Sequence, residues 1–233
     1  MKKALCALMC SLPVLGSAQS VWITPSGQTP DDALDISNGA NWSPTGKPVA
    51  GSQVVIGVSS ALAFDVDLSV SSLTISENVS TLFVPYGSES LTIGNGGLNL
   101  GSGASATLDV IVLSSANSTW NIGGANATFN GLLYLSSGTV SLNISNGGSL
   151  TLANPNNPIW TGALAIVGTG TYSVSATSFR PENLDKVKIN GNTVEIKGDK
   201  LVPVSNIPES SSAGALASCA ALLGTLLRRR RQA

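Results

Sequence analysis

Ser72-Leu73-Thr74-Ile75, Ser90-Leu91-Thr92-Ile93 and Ser149-Leu150-Thr151-Leu152 are near-copies of one phrase. In each, two aliphatic residues alternate with Ser and Thr, so an extended chain carries its apolar pair on one face and its hydroxyls on the other. The first two copies follow each other closely, and Gly-Gly pairs recur at 96–97, 123–124 and 147–148. Strand-turn-strand units recurring about every twenty residues predict a β-solenoid. One coil cannot bury its own apolar face; stacking coils about 4.8 Å apart buries it. Asn and Ser at equivalent turns are expected to bond along the axis.

The pattern extends outward from these phrases. Val54-Val55-Ile56, Leu62-Ala63-Phe64-Asp65-Val66, Leu82-Phe83-Val84, Leu108-Asp109-Val110-Ile111-Val112, Leu132-Leu133-Tyr134-Leu135 and Val140-Ser141-Leu142-Asn143-Ile144 all read as strands, and there is almost no helical periodicity between Val21 and Val204. The expected fold is all-β, a right-handed parallel β-helix of roughly six to eight coils. Short strands with frequent turn signals also fit a β-sandwich, the alternative; the repeated phrases favour the solenoid. Near the end, Lys186-Val187-Lys188-Ile189 and Thr193-Val194-Glu195-Ile196-Lys197 flank Asn190-Gly191-Asn192, a hairpin turn signal. This charged hairpin is expected to close the stack and keep its edge from pairing with another chain.

Charge narrows the function. The chain has 233 residues, 12 of them Lys or Arg, 13 Asp or Glu and none His. Six of the cations sit at the extreme ends, and from Pro48 to Phe179 there is none. Nucleic-acid binding needs cations facing phosphates, so it is not expected, and neither is binding of acidic polysaccharide along 48–179. Cys6, Cys10 and Cys219 also lie near the ends, which leaves the body without a disulfide framework or a thiolate metal site.

Both ends read as export signals. Lys2 and Lys3 precede an apolar run from Ala4 to Leu15, and Gly16-Ser17-Ala18 supplies the small residues of a signal-peptidase site, so cleavage is expected between Ala18 and Gln19. At the other end Ile207-Pro208-Glu209 and three serines lead into an apolar run from Ala213 to Leu227, followed by Arg228, Arg229, Arg230 and Arg231. A helix over 210–227 is about 27 Å long at about 1.5 Å per residue, barely enough to span a bilayer core. The arginines then remain on the cytoplasmic side.

This tail resembles the PEP-CTERM sorting signal, a Pro-Glu-Pro motif, an apolar helix and an Arg cluster in that order. Pro208 and Glu209 match, and Ser210 stands where the second proline is expected. The resemblance implies a Gram-negative-type bacterium that makes exopolysaccharide, with an exosortase-like enzyme as processing partner. Separately, Trp22 and Asn41-Trp42-Ser43 leading into Gly51-Ser52-Gln53-Val54-Val55-Ile56, with the repeated phrases, resemble autotransporter-associated β-strand repeats over residues 40–175. That resemblance implies a surface β-helix with Trp22 or Trp42 capping its apolar end. The expected organisation is a signal peptide over 1–18, a solenoid over 19–178, a capping hairpin region over 179–204, a linker with the sorting motif over 205–212, and a sorting helix with Arg tail over 213–233.

Chemistry is sparse. Without His, and without Cys in the body, Ser-His-Asp, Cys-His and the usual zinc sites are excluded. Asp65 and Asp67, at alternate positions on a predicted strand, share a face about 6.5–7 Å apart, near the spacing of paired carboxylates in glycoside hydrolysis and also usable for calcium. The plainer reading places both on the solvent face of an early coil. Five Asn-X-Ser/Thr sequons, at Asn41, Asn78, Asn117, Asn126 and Asn143, are explained by turn preference.

The expectation is therefore an exported, non-catalytic cell-surface or matrix protein with no cofactor or metal, meeting the export machinery, signal peptidase and an exosortase-like enzyme, in transient contact with the membrane and associated with extracellular polysaccharide. The alternatives are a glycan-binding adhesin, with Trp120, Tyr134, Trp160 and Tyr172 as the aromatics to inspect, and a β-helix polysaccharide-degrading enzyme using Asp65 and Asp67.

Overall fold

The computed structural model describes residues 18–114 and 116–204. Most of the leader, the sorting motif at Pro208 and Glu209, the apolar run and Arg228 to Arg231 lie outside the described residues. Among the described residues no helix is long and apolar enough to cross a membrane.

The protein is an all-β solenoid of about six turns. The chain passes repeatedly through three stacks of parallel strands. Stack A contains Gln19–Trp22, Ser52–Ile56, residues 72–75 and 97–100, Ser118–Gly123, Thr139–Ser145, Ala163–Thr169 and Val187–Ile189. Stack B contains Leu34–Asp35, Ser60–Phe64, Ser80–Pro85, Ser105–Leu108, Asn126–Phe129, Ser149–Leu152 and Ser173–Ser175. Stack C is shorter: residues 68–70 and 90–93, then Ile111–Ser114 and Leu133–Leu135.

Alternation decides which side chains face inward. In stack A, Ile56, Ile75, Leu100, Ile122 and Ile144 succeed one another along the axis, each at most 5% exposed. Burying one such side chain stabilises the fold by about 1.5–3 kcal/mol before entropy is counted. One coil carries Trp120 stacked on Phe129, with ring centres 5.7 Å apart and planes 11° from parallel. The same coil has the small buried residues Ala125 and Ala127, which suit a core filled to uniform density.

The coil length is less regular than the repeated phrases predict. Gln53 pairs with Ser72 on the next coil, whereas Leu73 reaches across a distinctly longer coil to pair with Leu98. The three phrases therefore mark no period: residues 72–75 lie in stack A, 90–93 in stack C and Ser149–Leu152 in stack B. Any half-buried solenoid strand needs the same alternation, whichever stack it joins.

Stack C stops early, and side chains substitute for the missing strand. Asn157, 2% exposed, accepts from Leu133 N at 2.7 Å. Asn183, 0% exposed, accepts from Trp160 N at 2.9 Å and donates to Pro158 O at 2.9 Å. Backbone groups that a further rung would pair are thus satisfied by buried amides.

Both ends are covered by antiparallel pairing. At the first coil Trp42–Ser43 runs antiparallel to Gln19–Trp22. Trp22 and Trp42 meet edge-to-face, with centres 5.0 Å apart and planes at 83°. Their indole nitrogens donate to Thr24 O at 2.7 Å and Ile36 O at 2.9 Å, so the pair fills the core end without orphaning a donor. At the last coil Val187–Ile189 is the final parallel rung of stack A. It turns through Asn190 and Gly191, at φ 50° and 80°, into Asn192–Lys197. Positive φ at both turn residues matches the twist of the paired strands. Asn192–Lys197 then pairs antiparallel with Lys200–Pro203, which meets stack B at Ser175.

Candidate functional site

Asp65 and Asp67 are not on a strand. The strand ends at Phe64, and Asp65-Val66-Asp67 forms the bend into residues 68–70. Phe64 is fully buried, and the chain must turn there to reach stack C. Both oxygens of the Asp65 carboxylate are engaged by one residue: Ser37 N donates to Oδ1 at 3.1 Å and Ser37 Oγ to Oδ2. Asp67 Oδ1 accepts from Ser90 N at 2.8 Å and Ser90 Oγ at 2.9 Å. The two acids thus tie the bend to two different neighbouring segments, one at Ser37 and one at Ser90. Among the described residues no group of three His, Cys, Asp or Glu side chains is arranged to hold a metal ion.

The same use of polar side chains recurs. Asn121 Nδ2 donates to Asn99 Oδ1 at 2.6 Å, and Asn143 Nδ2 to Asn121 Oδ1 at 2.9 Å, a ladder up the outside of stack A. Asn130 Nδ2 donates to Asp109 Oδ1 at 2.9 Å. The expected axial bonding is found on these strands and equally at the turns after stack B, where Asn154 Nδ2 in turn donates to Asn130 O at 2.8 Å.

The four aromatics named for the glycan-binding alternative divide into two buried and two partly open. Trp120 and Trp160 are each 1% exposed, and Tyr134 and Tyr172 are half-buried. The exposed aromatic is Tyr86, at 64%, whose hydroxyl donates to Asp35 Oδ1 at 2.9 Å. That hydrogen bond, then the charge of Asp35, holds the Tyr86 pKa above the usual 10.0.

A groove of about 430 Å³ opens beside the first coils of stack C. Its overhang is residues 47–50. Pro48 is buried and anchors the segment. Val49 O accepts from Ser52 N at 3.0 Å across a turn whose third residue, Gly51, has φ 80°, the value that turn demands of glycine. Gly51 N then donates to Ser69 O at 3.1 Å, pinning the turn to the stack. Val49 is left 65% exposed at the lip. The opposite wall is Asp67, Ser69, Ser90 and Thr92, with Ser69 and Thr92 in register on adjacent rungs.

Lys47, the single cation between Lys3 and Arg180, lines this groove, and among the described residues it forms no ion pair. A second concavity of about 360 Å³, lined by Asp65, Val66, Asp67, Ser88 and Glu89, adjoins the first through Val66 and Asp67. Sequence reasoning passed over Lys47. The available signals were its isolation as a cation and its place between Pro44 and Pro48, just before Gly51.

No protein-family profile, curated protein or solved structure matches the chain.

Proposed function

We propose that this is an exported, non-catalytic structural protein of the cell envelope or extracellular matrix of a Gram-negative-type bacterium. In this reading a signal peptide is removed after Ala18. The coil is right-handed and closed by its C-terminal hairpin. Residues 213–227 act as a sorting helix that enters the membrane transiently, and an exosortase-like enzyme reads Pro208 and Glu209. The observation that carries the non-catalytic part is the use made of Asp65 and Asp67, whose carboxylates bind Ser37 and Ser90 and knit neighbouring segments together. The export part is supported by the order of charge and apolar character at the two ends.

Fractionation of the producing cells, with mass spectrometry of both termini, tests the proposal. It predicts a chain beginning at Gln19, recovered outside the cytoplasm. Full-length polypeptide in the cytosol contradicts it.

A further inference from the structure

We infer that the groove under the 47–50 overhang binds a carboxylate-bearing glycan, with the carboxylate of a uronosyl unit on Lys47. Its volume of about 430 Å³ lies within the roughly 300–1,000 Å³ of small-ligand sites. The functional groups on its walls select the chemistry. Lys47 presents an exposed ammonium with no ion pair among the described residues. A lone cation answers one carboxylate and is too little for a polyphosphate or nucleic-acid backbone. Asp67, on the groove wall, uses only Oδ1 to hold Ser90, which leaves Oδ2 as an acceptor without a donor among the described residues. The hydroxyls of Ser69 and Thr92, on adjacent rungs about 4.8 Å apart, add groups that both donate and accept. Val49 supplies apolar surface for the C–H face of a ring.

A ligand with many hydroxyls, one carboxylate and an apolar face is a uronate-containing oligosaccharide. A peptide added as a strand needs a row of open backbone groups, and on the outer edge of the first rung, 68–70, Ser69 O already accepts from Gly51 N and Val70 is bridged to Ser52. Charge also sets the direction of the ligand. Asp65 and Glu89 in the adjoining concavity repel carboxylates, so a neutral unit occupies the Asp67 end and the acidic unit the Lys47 end.

This inference concerns the groove and stands or falls apart from where the chain is sorted. Calorimetric titration of the full chain with tetragalacturonate and with tetragalactose, its neutral counterpart, tests it. The acidic oligomer is expected to bind about tenfold more tightly, the worth of one charge-assisted contact, with the preference shrinking as salt is added. Lys47→Gln removes the preference while leaving the circular dichroism spectrum unchanged, Lys47→Arg keeps it, and Thr92→Val weakens both oligomers. Equal binding of the two oligomers, no heat from either at about 1 mM, or a preference that survives Lys47→Gln overturns the inference.

Discussion

Leu91 stands in register with Leu68 one coil away, although the phrase around it copies the phrase around Leu73. Leu73 instead pairs with Leu98. Both Leu73 and Leu91 are at most 1% exposed, so the phrase specifies what a strand of this solenoid buries and says nothing about which strand it joins. Register is set by the intervening turns, which make the coil from Leu73 to Leu98 longer than the coil from Gln53 to Ser72.

Asn183→Ala is expected to be among the most damaging polar substitutions. It leaves the Trp160 N–H without its acceptor and the Pro158 carbonyl without its donor, in a site that is 0% exposed at Asn183. An unmade buried hydrogen bond costs about 1–3 kcal/mol per group. Urea denaturation should show a fall in midpoint equivalent to about 2–5 kcal/mol, from those groups together.

Asn121→Ala should cost less, about 1–2 kcal/mol, because the two ladder bonds it removes face outward and water replaces them. Asn143→Ala, which removes only the Asn121 bond, should cost about half as much. Equal midpoints for both variants and the parent chain would show that the ladder adds nothing to stability.

The class of fold was legible in the sequence because it rests on period-two alternation, which survives variation in turn length. The C-terminal turn was legible because Asn190-Gly191 is chemically committed to positive φ. The coil boundaries were not, since they depend on turn lengths that carry no common motif. Asp65 and Asp67 were misplaced onto a strand because Leu62-Ala63-Phe64-Asp65-Val66 alternates without a break, while the end at Phe64 is imposed by the turn into residues 68–70. Asn157 and Asn183 could not be singled out among the many asparagines, because their role exists only where stack C stops. The groove joins Lys47 to Ser90 and Thr92, which lie far along the chain, and no local pattern links them.

The Asp65→Asn, Asp67→Asn double variant should leave reducing-sugar release from a polysaccharide panel unchanged, with both proteins at the level of buffer. A hydrolase using this pair as acid and base would lose on the order of a hundredfold or more in rate when either group is neutralised. Release by the parent chain that disappears in the double variant would restore the enzymatic reading.

The register claim has the most direct test, in a chain with Cys6, Cys10 and Cys219 changed to serine. Ser69 and Thr92 are aligned on adjacent strands, whereas Thr74 aligns with Asn99. Paired parallel residues lie about 4.8 Å apart, inside the range of roughly 4.4–6.8 Å between Cα atoms that a disulfide bridges. Under mild oxidation the Ser69→Cys, Thr92→Cys chain should close a disulfide, seen as faster migration on a non-reducing gel, and the Thr74→Cys, Thr92→Cys chain should remain open. Closure of the second pair with failure of the first would mean that the repeated phrases stack on one another and that the three-stack solenoid described above is wrong.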